Sequence, residues 1–157
     1  GYWGAGAKRS YHHTAPINAL YGLHESLVIL SEEGLEASWK RHRTNHQALR
    51  VGLESMGIQF QVAPDYRLPQ LNAVLIPDGV EDAAARKALL QEYNLEIGGG
   101  LGSGAGKVWR IGLMGHASNE TNVLTCLGAL DAVLGDMGAS FERGKAVASA
   151  REYYASI

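Results

Sequence analysis

Cysteine is nearly missing from this sequence, and the single one, Cys126, has no second thiol with which to close an internal disulfide. Leu124, Leu127 and Leu130 surround it at helical spacing, so the expected state is a buried thiol in a reducing compartment, read here as cytoplasmic. Long apolar runs are missing too. No stretch approaches the roughly 20 residues needed to cross a bilayer, and no membrane partner is expected. Positive charge is not in excess either: 14 Lys and Arg stand against 16 Asp and Glu, for a formal net charge of -2. Without a basic stripe interleaved with aromatics, nucleic acid is not an expected partner. What is present is 157 residues, 46% of them hydrophobic, enough for one sizeable core. The sequence opens on glycine instead of methionine and is read as a piece of a longer polypeptide.

Residues 1 to 14, rich in glycine and aromatics, read as irregular, and Pro16 suits the first position of a helix because it has no N–H to waste. That helix runs to about Glu33. Its apolar residues, among them Ile17, Leu20, Leu23, Leu27 and Leu30, cover more than one face and predict burial from two sides. After Gly34 a second helix extends from Leu35 to about Met56. Leu35, Trp39, His42, His46, Leu49, Leu53 and Met56 form its stripe, with Lys40, Arg41, Arg43 and Arg50 turned to water. The period then changes: Ile58 to Val62 and Leu71 to Ile76 read as strands around a loop set by Pro64 and Pro69. A helix follows from Glu81 to Asn94, then a short strand from Leu95 to Ile97, a glycine turn, and a strand through Arg110. Ser118 is the expected N-cap of a helix whose stripe is Val123, Leu127, Leu130 and Leu134. A last helix within Ser140 to Ile157 would use Phe141, Val147, Tyr153 and Tyr154. This order predicts an α+β fold, a mostly antiparallel sheet with helices packed on one face.

Several motifs do not survive inspection. Gly100-Leu101-Gly102-Ser103-Gly104-Ala105 matches a loose dinucleotide-binding pattern, but a strand follows where a helix N-terminus is needed. Gly106-Lys107 lacks the hydroxyl and first glycine of a nucleotide-triphosphate loop. His42 and His46 have metal-binding helix spacing, yet Arg43 replaces the glutamate of a metalloprotease helix and no third ligand is apparent, so no metal is expected. His116 reads as a polar loop residue.

Two candidates remain. In Val108-Trp109-Arg110-Ile111-Gly112-Leu113, strand alternation sends Trp109, Ile111 and Leu113 to one face and Arg110 to the other, beside the glycines of Gly98-Gly99-Gly100. A planar five-donor fork on a rigid strand can grip a carboxylate through two parallel hydrogen bonds, although an ordinary surface salt bridge fits the spacing as well. Tyr11 and Thr14, three residues apart before a helix N-terminus, offer hydroxyls to a phosphate or else a simple helix cap.

Taken in order, Tyr11-His12-His13-Thr14, Leu20-Tyr21-Gly22-Leu23-His24-Glu25-Ser26-Leu27, Glu33-Gly34-Leu35-Glu36, Tyr66-Arg67-Leu68-Pro69, Ile76-Pro77-Asp78-Gly79-Val80, Glu96 to Gly102 and Gly106 to Gly115 resemble the C-terminal part of the alanine–glyoxylate and serine–pyruvate aminotransferases. The likeness covers roughly residues 1 to 135. It implies a class V, fold-type I enzyme dependent on pyridoxal 5'-phosphate, with small amino and keto acids as substrates and a homodimer sharing its site between subunits. On that resemblance Arg110 binds the substrate carboxylate, and Tyr11 and Thr14 reach the cofactor phosphate of the neighbouring subunit. Residues 1–33 would end the large domain, 34–137 form the small domain, and 138–157 extend beyond the likeness. The lysine that carries the cofactor, the acid at its ring nitrogen and the stacking aromatic would all lie upstream, so no catalytic residue is expected in this chain and a large-domain segment is an expected partner. Lys8, Lys40, Lys87, Lys107 and Lys145 match none of the family's cofactor-lysine positions. Two other readings stay open: a ureidoglycine–glyoxylate aminotransferase, and a non-catalytic α+β module that binds small anions.

Overall fold

The computed structural model describes residues 12–157, which divide into two compact units, one ending at Ala37 and the other running from Ser38 to Ile157. Tyr11 lies outside the described residues. The first unit is built on helix α1 (Ile17–Glu33), preceded by Pro16 at the cap position and closed by Gly34, whose φ of +84° lets its N–H turn back to the Leu30 carbonyl at 2.9 Å. Burial of α1 from two sides is not realised: none of its residues is buried, and Ile17, Leu20, Leu23 and Leu27 are each about half exposed, at 47 to 56%. Among the described residues the unit has no second layer to lay against the helix, and the apolar side chains named stay half exposed.

In the second unit, strands β1 (Leu71–Leu75), β2 (Gly98–Gly99) and β3 (Val108–Gly112) form an antiparallel sheet in the order β1-β3-β2. Helices α2 (Leu35–Ser55), α3 (Asp82–Tyr93), α4 (Glu120–Asp136) and α5 (Lys145–Ala155) complete the chain. The β1–β3 register pairs Asn72 with Ile111 and Val74 with Trp109, so these four share the helix-facing side. Trp109, Val74, Leu49, Leu53, Leu89, Leu127 and Leu130 are fully enclosed there, each leucine contributing on the order of 1.5–3 kcal/mol by leaving water. The α+β reading, antiparallel sheet with helices on one face, is what the chain forms.

Local expectations fail in three places for identifiable reasons. Ile58 to Val62 makes a single bridge, Phe60 to Val74, in place of a strand. Arg67 folds back over the Phe60 ring at 4.3 Å and donates Nε–H to the Val62 carbonyl at 2.8 Å, taking an acceptor that a longer ladder would use. The short strand expected at Leu95–Ile97 forms instead on Gly98–Gly99, since those are the residues that reach the edge of β3. Finally, Asn119 caps α4, its Oδ1 accepting from Asn122 N–H at 2.8 Å, while Ser118 is fully buried and its hydroxyl accepts from Asn45 Nδ2–H at 3.1 Å.

The last helix forms as expected and packs through Ala146 and Ala150, both fully buried. Asp131 of α4 holds the turn into it, accepting from Arg143 Nε–H at 2.7 Å and Gly144 N–H at 2.6 Å. Tyr154 then donates its hydroxyl to Asn45 Oδ1 at 2.7 Å. Cys126 is buried as a free thiol, and that burial pushes its pKa up to about 12. Among the described residues no helix is long and apolar enough to cross a membrane.

His46 of α2 sits over the sheet with Nδ1 2.6 Å from Asn72 Oδ1, which accepts its proton. Burial lowers its proton affinity from the ordinary value of 6.5, against the hydrogen bond to Asn72 that raises it. A base that binds protons less well folded than unfolded makes the folded state lose ground as acid is added. Stability is therefore expected to be full above pH 6.5 and to fall below it, with a slope of at most about 1.4 kcal/mol per pH unit from this group. Denaturant titrations of the wild type and His46→Gln across pH 7.5 to 5 check this: the variant, which can still donate to Asn72, is expected to lose this part of the slope.

Candidate active-site arginine and its supports

Burial along β3 follows the expected alternation, with Trp109, Ile111 and the following Leu113 at 0 to 4% exposure and Arg110 half-buried on the opposite side. Val108 is buried despite sharing Arg110's parity. Arg110 donates Nε–H to the Gly99 carbonyl at 2.8 Å. That is its one hydrogen bond among the described residues, and no carboxylate among them pairs with it, so the surface salt bridge is not what the arginine makes. Anchoring at Nε fixes the guanidinium plane and leaves the two terminal nitrogens, the edge that matches a carboxylate, for another group.

Glycine makes this approach possible. Arg110 pairs across the strands with Gly98, where a Cβ would stand 3.3 Å from Nη2 and 3.5 Å from Nε. At Gly99 a Cβ would point the other way and meet the Arg86 guanidinium in ordinary contact at 3.4 Å. The two glycines of β2 therefore lie between two arginines. Gly100 turns the chain so closely onto the next loop that a Cβ there would overlap the Gly104 carbonyl oxygen.

Arg86 belongs to α3, whose start is set by Glu81: its carboxylate accepts from Ala83 N–H at 3.0 Å and Ala84 N–H at 2.6 Å. One turn on, Arg86 donates Nε–H and Nη2–H to the two oxygens of Asp82, at 2.8 and 3.2 Å. Asp82 Oδ1 also accepts the indole N–H of Trp109 at 2.9 Å. The Arg86 hydrogen bond, aided by that of Trp109, holds the Asp82 carboxyl below the usual carboxylate range against the opposing pull of desolvation.

The turn after β3 is gripped from α2. Arg41 donates Nη1–H to the carbonyls of Gly115 and Ser118 at 2.8 and 2.7 Å, so this residue is not turned to water as its place outside the apolar stripe predicts. His42 accepts the Gly115 N–H at Nε2, 3.0 Å, and its Nδ1 lies 2.7 Å from the Ser38 carbonyl. One partner can only donate and the other only accept, so the pairing requires the neutral imidazole with its proton on Nδ1. Adjacent side chains of one helix thus hold both polar groups of one peptide residue, at a glycine with φ of +53°.

The other sequence candidates are dispersed. Thr14 is exposed, and its hydroxyl neither caps α1 nor bonds elsewhere among the described residues. His42 and His46 are packing residues with the partners given above, and no cluster of metal-ligating side chains occurs among the described residues. His116 is an exposed turn residue. Lys40, Lys87, Lys107 and Lys145 are all exposed, Lys145 pairing with Glu142 at 2.9 Å. A cleft of about 330 Å³ opens where α3 and α4 meet the sheet, lined by Tyr93, Glu96, Gly112, Asn122, Thr125 and Cys126 among others. Asp82, Arg86, Arg41 and His42 were not identified by sequence reasoning as supports; only the four-residue spacing of Asp82 and Arg86 signals a contact in advance.

No protein-family model matches the chain. It is 38% identical over 153 residues to (S)-ureidoglycine–glyoxylate transaminase of Bacillus subtilis, covering 98% of this chain and 36% of that protein. It is 43% identical over 123 residues to alanine–glyoxylate aminotransferase of Callithrix jacchus, covering 77% of this chain and 30% of the relative. The crystal structure of the Bacillus subtilis ureidoglycine–glyoxylate aminotransferase superposes with a TM-score of 0.88 at 38% identity, over 92% of this chain and 37% of that one. The chain belongs to the glyoxylate aminotransferase family, matching its C-terminal portion and spanning about a third of the length of these relatives.

The close approach at Gly100 carries an expected outcome. Gly100→Ala must move the Gly104 carbonyl and with it the glycine loop, at a cost of roughly 1–3 kcal/mol, whereas Gly98→Ala displaces only a flexible side chain and costs under about 1 kcal/mol. Thermal unfolding of the two variants side by side checks the order.

Proposed function

We propose that this chain is the carboxylate-binding portion of a pyridoxal-phosphate-dependent aminotransferase that moves an amino group from alanine or serine to glyoxylate or pyruvate. The observation that carries the reading is Arg110, fixed through Nε on a buried-backed strand with both terminal nitrogens unpartnered among the described residues. In this role Arg110 grips the α-carboxylate of amino and keto acid alike and orients the carbon that exchanges its nitrogen, which reduces the entropy lost in reaching a reactive pose. The cofactor, when bound, supplies the electron sink for the exchange.

The residues present fit only one edge of a cofactor site. The free hydroxyl of Thr14 suits a phosphate oxygen, and Tyr11 completes the pair on the family pattern, reaching the phosphate of the neighbouring subunit in a homodimer. The described lysines are all exposed, and among the described residues none is assigned the part of the cofactor lysine, the ring-nitrogen acid or the stacking aromatic. Those belong to an upstream segment. On this reading Gly34 marks the passage from large to small domain, residues 138–157 form a C-terminal extension, and the buried reduced Cys126 is in keeping with a cytoplasmic enzyme. The competing donor, ureidoglycine, is favoured by one observation: likeness to the Bacillus subtilis enzyme spans 98% of the chain, against 77% for the alanine enzyme.

In the complete enzyme, Arg110→Lys keeps the charge and loses the fork. A hydrogen bond to a charged group is worth about 1.5 to 3 kcal/mol, so kcat/KM for amino and keto acids should fall roughly 10- to 150-fold with the unfolding midpoint unchanged. Steady-state kinetics decide, and an unaltered kcat/KM for every acid tried removes Arg110 from the site. Thr14→Ala is expected to weaken cofactor retention by a similar 1.5 to 3 kcal/mol, about tenfold or more in Kd, measured by equilibrium dialysis of the purified holoenzyme.

A further inference from the structure

We propose that Arg86 is a positioning residue for the substrate carboxylate, acting through the Gly99 peptide that orients Arg110. The inference rests on the reading of Arg110 as the carboxylate clamp. Its basis is the order through β2: the Arg86 guanidinium faces the helix side of Gly99, 3.4 Å from where a Cβ would stand, and the carbonyl of that same residue receives Arg110 Nε–H at 2.8 Å.

Three observations make Arg86 more than a helix-surface cation. It is only half-buried, yet both of its bonds go to one carboxylate, Asp82, in a two-pronged arrangement that allows one guanidinium plane. Asp82 is itself immobilised by the indole N–H of Trp109, the fully buried residue next to Arg110 in sequence. And the planar group so fixed faces Gly99 squarely: a Cβ there would stand 3.4 to 3.5 Å from three of its atoms, in ordinary van der Waals contact. The edge strand β2 is just two residues long and has no side chains with which to pack, so its position on this face depends on what lies against it. Arg86 supplies that backing. Without it Gly99 can rotate its carbonyl, and the Arg110 fork turns with the acceptor it is tied to.

A coupling experiment on the complete holoenzyme tests this, using Arg86→Met, Arg86→Lys, Arg110→Met and the double variant Arg86→Met/Arg110→Met. Contacting residues commonly show strong non-additivity, and Arg86→Met is expected to raise KM for a 2-oxo acid about tenfold, with kcat changed less and the unfolding midpoint little moved. Arg86→Lys, which keeps the cation but not the flat face, should give most of the same loss. In the Arg110→Met background the Arg86 substitution should leave KM where it was, because there is no longer a fork to orient. Should Arg86→Met fail to fold, Arg86→Lys and Arg86→Lys/Arg110→Met give the same comparison. An unchanged KM in Arg86→Met and Arg86→Lys while Arg110→Met raises it overturns the role of Arg86 alone, as does an equal fold-loss from Arg86 substitution with and without Arg110. If Arg110→Met itself leaves KM unaltered, the clamp reading fails and the inference with it.

Discussion

An indole N–H enclosed in an apolar core has to find an acceptor there, because leaving it unmet costs about 1–3 kcal/mol. Trp109 is fully buried at the centre of β3, and the acceptor it finds is the first carboxylate of α3. Much of the second unit follows from that bond. It ties α3 to the sheet, and it brings a negative charge to the edge of the core that calls for a cation. Arg86, one turn along the same helix, answers it and comes to rest beside the two-glycine strand. Only with that strand in place does Arg110, on the far side, have a carbonyl to stretch toward.

Helix α2 shows the same economy at the other end of β3. It carries many polar residues yet is deeply buried along one side, and the two facts are compatible because those polar groups are consumed by the fold. Arg41 and His42 take the acceptor and the donor of Gly115, and Asn45 joins Ser118 of the turn to Tyr154 of α5. His46 reaches β1 through Asn72. The strand that bears the arginine is thus tied down at its centre by an aspartate and at its exit by a helix face. A fork that must present two donors in one plane needs that rigidity more than it needs affinity from its neighbours.

The sequence made Arg110 legible because strand alternation is a strict period of two, and the apolar set Trp109, Ile111 and Leu113 leaves one parity for a charged side chain. The helices were legible for the same reason at a longer period. What stayed hidden was pairing decided at a distance. Gly98 and Gly99 have no β-propensity, and their strand exists because β3 offers an edge there. Phe60 has the composition of a strand residue, but Arg67 competes for the carbonyl of Val62. Ser118 and Asn119 are equally good caps on paper, and the choice falls to Asn119 because Asn45 draws Ser118 inward. The apolar faces of α1 misled in the other direction, since burial from two sides is expected of them and none of the helix is buried. Asp82 and Arg86 carry a helix-pair spacing that abounds on solvated faces, and nothing local distinguishes this instance until Trp109 and Gly99 are seen beside it.

The solitary thiol has a practical side. Cys126 is 5% exposed and so reluctant to ionise, with its pKa pushed to about 12, that essentially none of it is thiolate at neutral pH while α4 is packed. An unfolded cysteine, exposed and near its ordinary value, reacts far more readily. Labelling by an alkylating reagent therefore clocks the excursions that expose this side of α4, and a single mass increment per chain reports how often the molecule opens there.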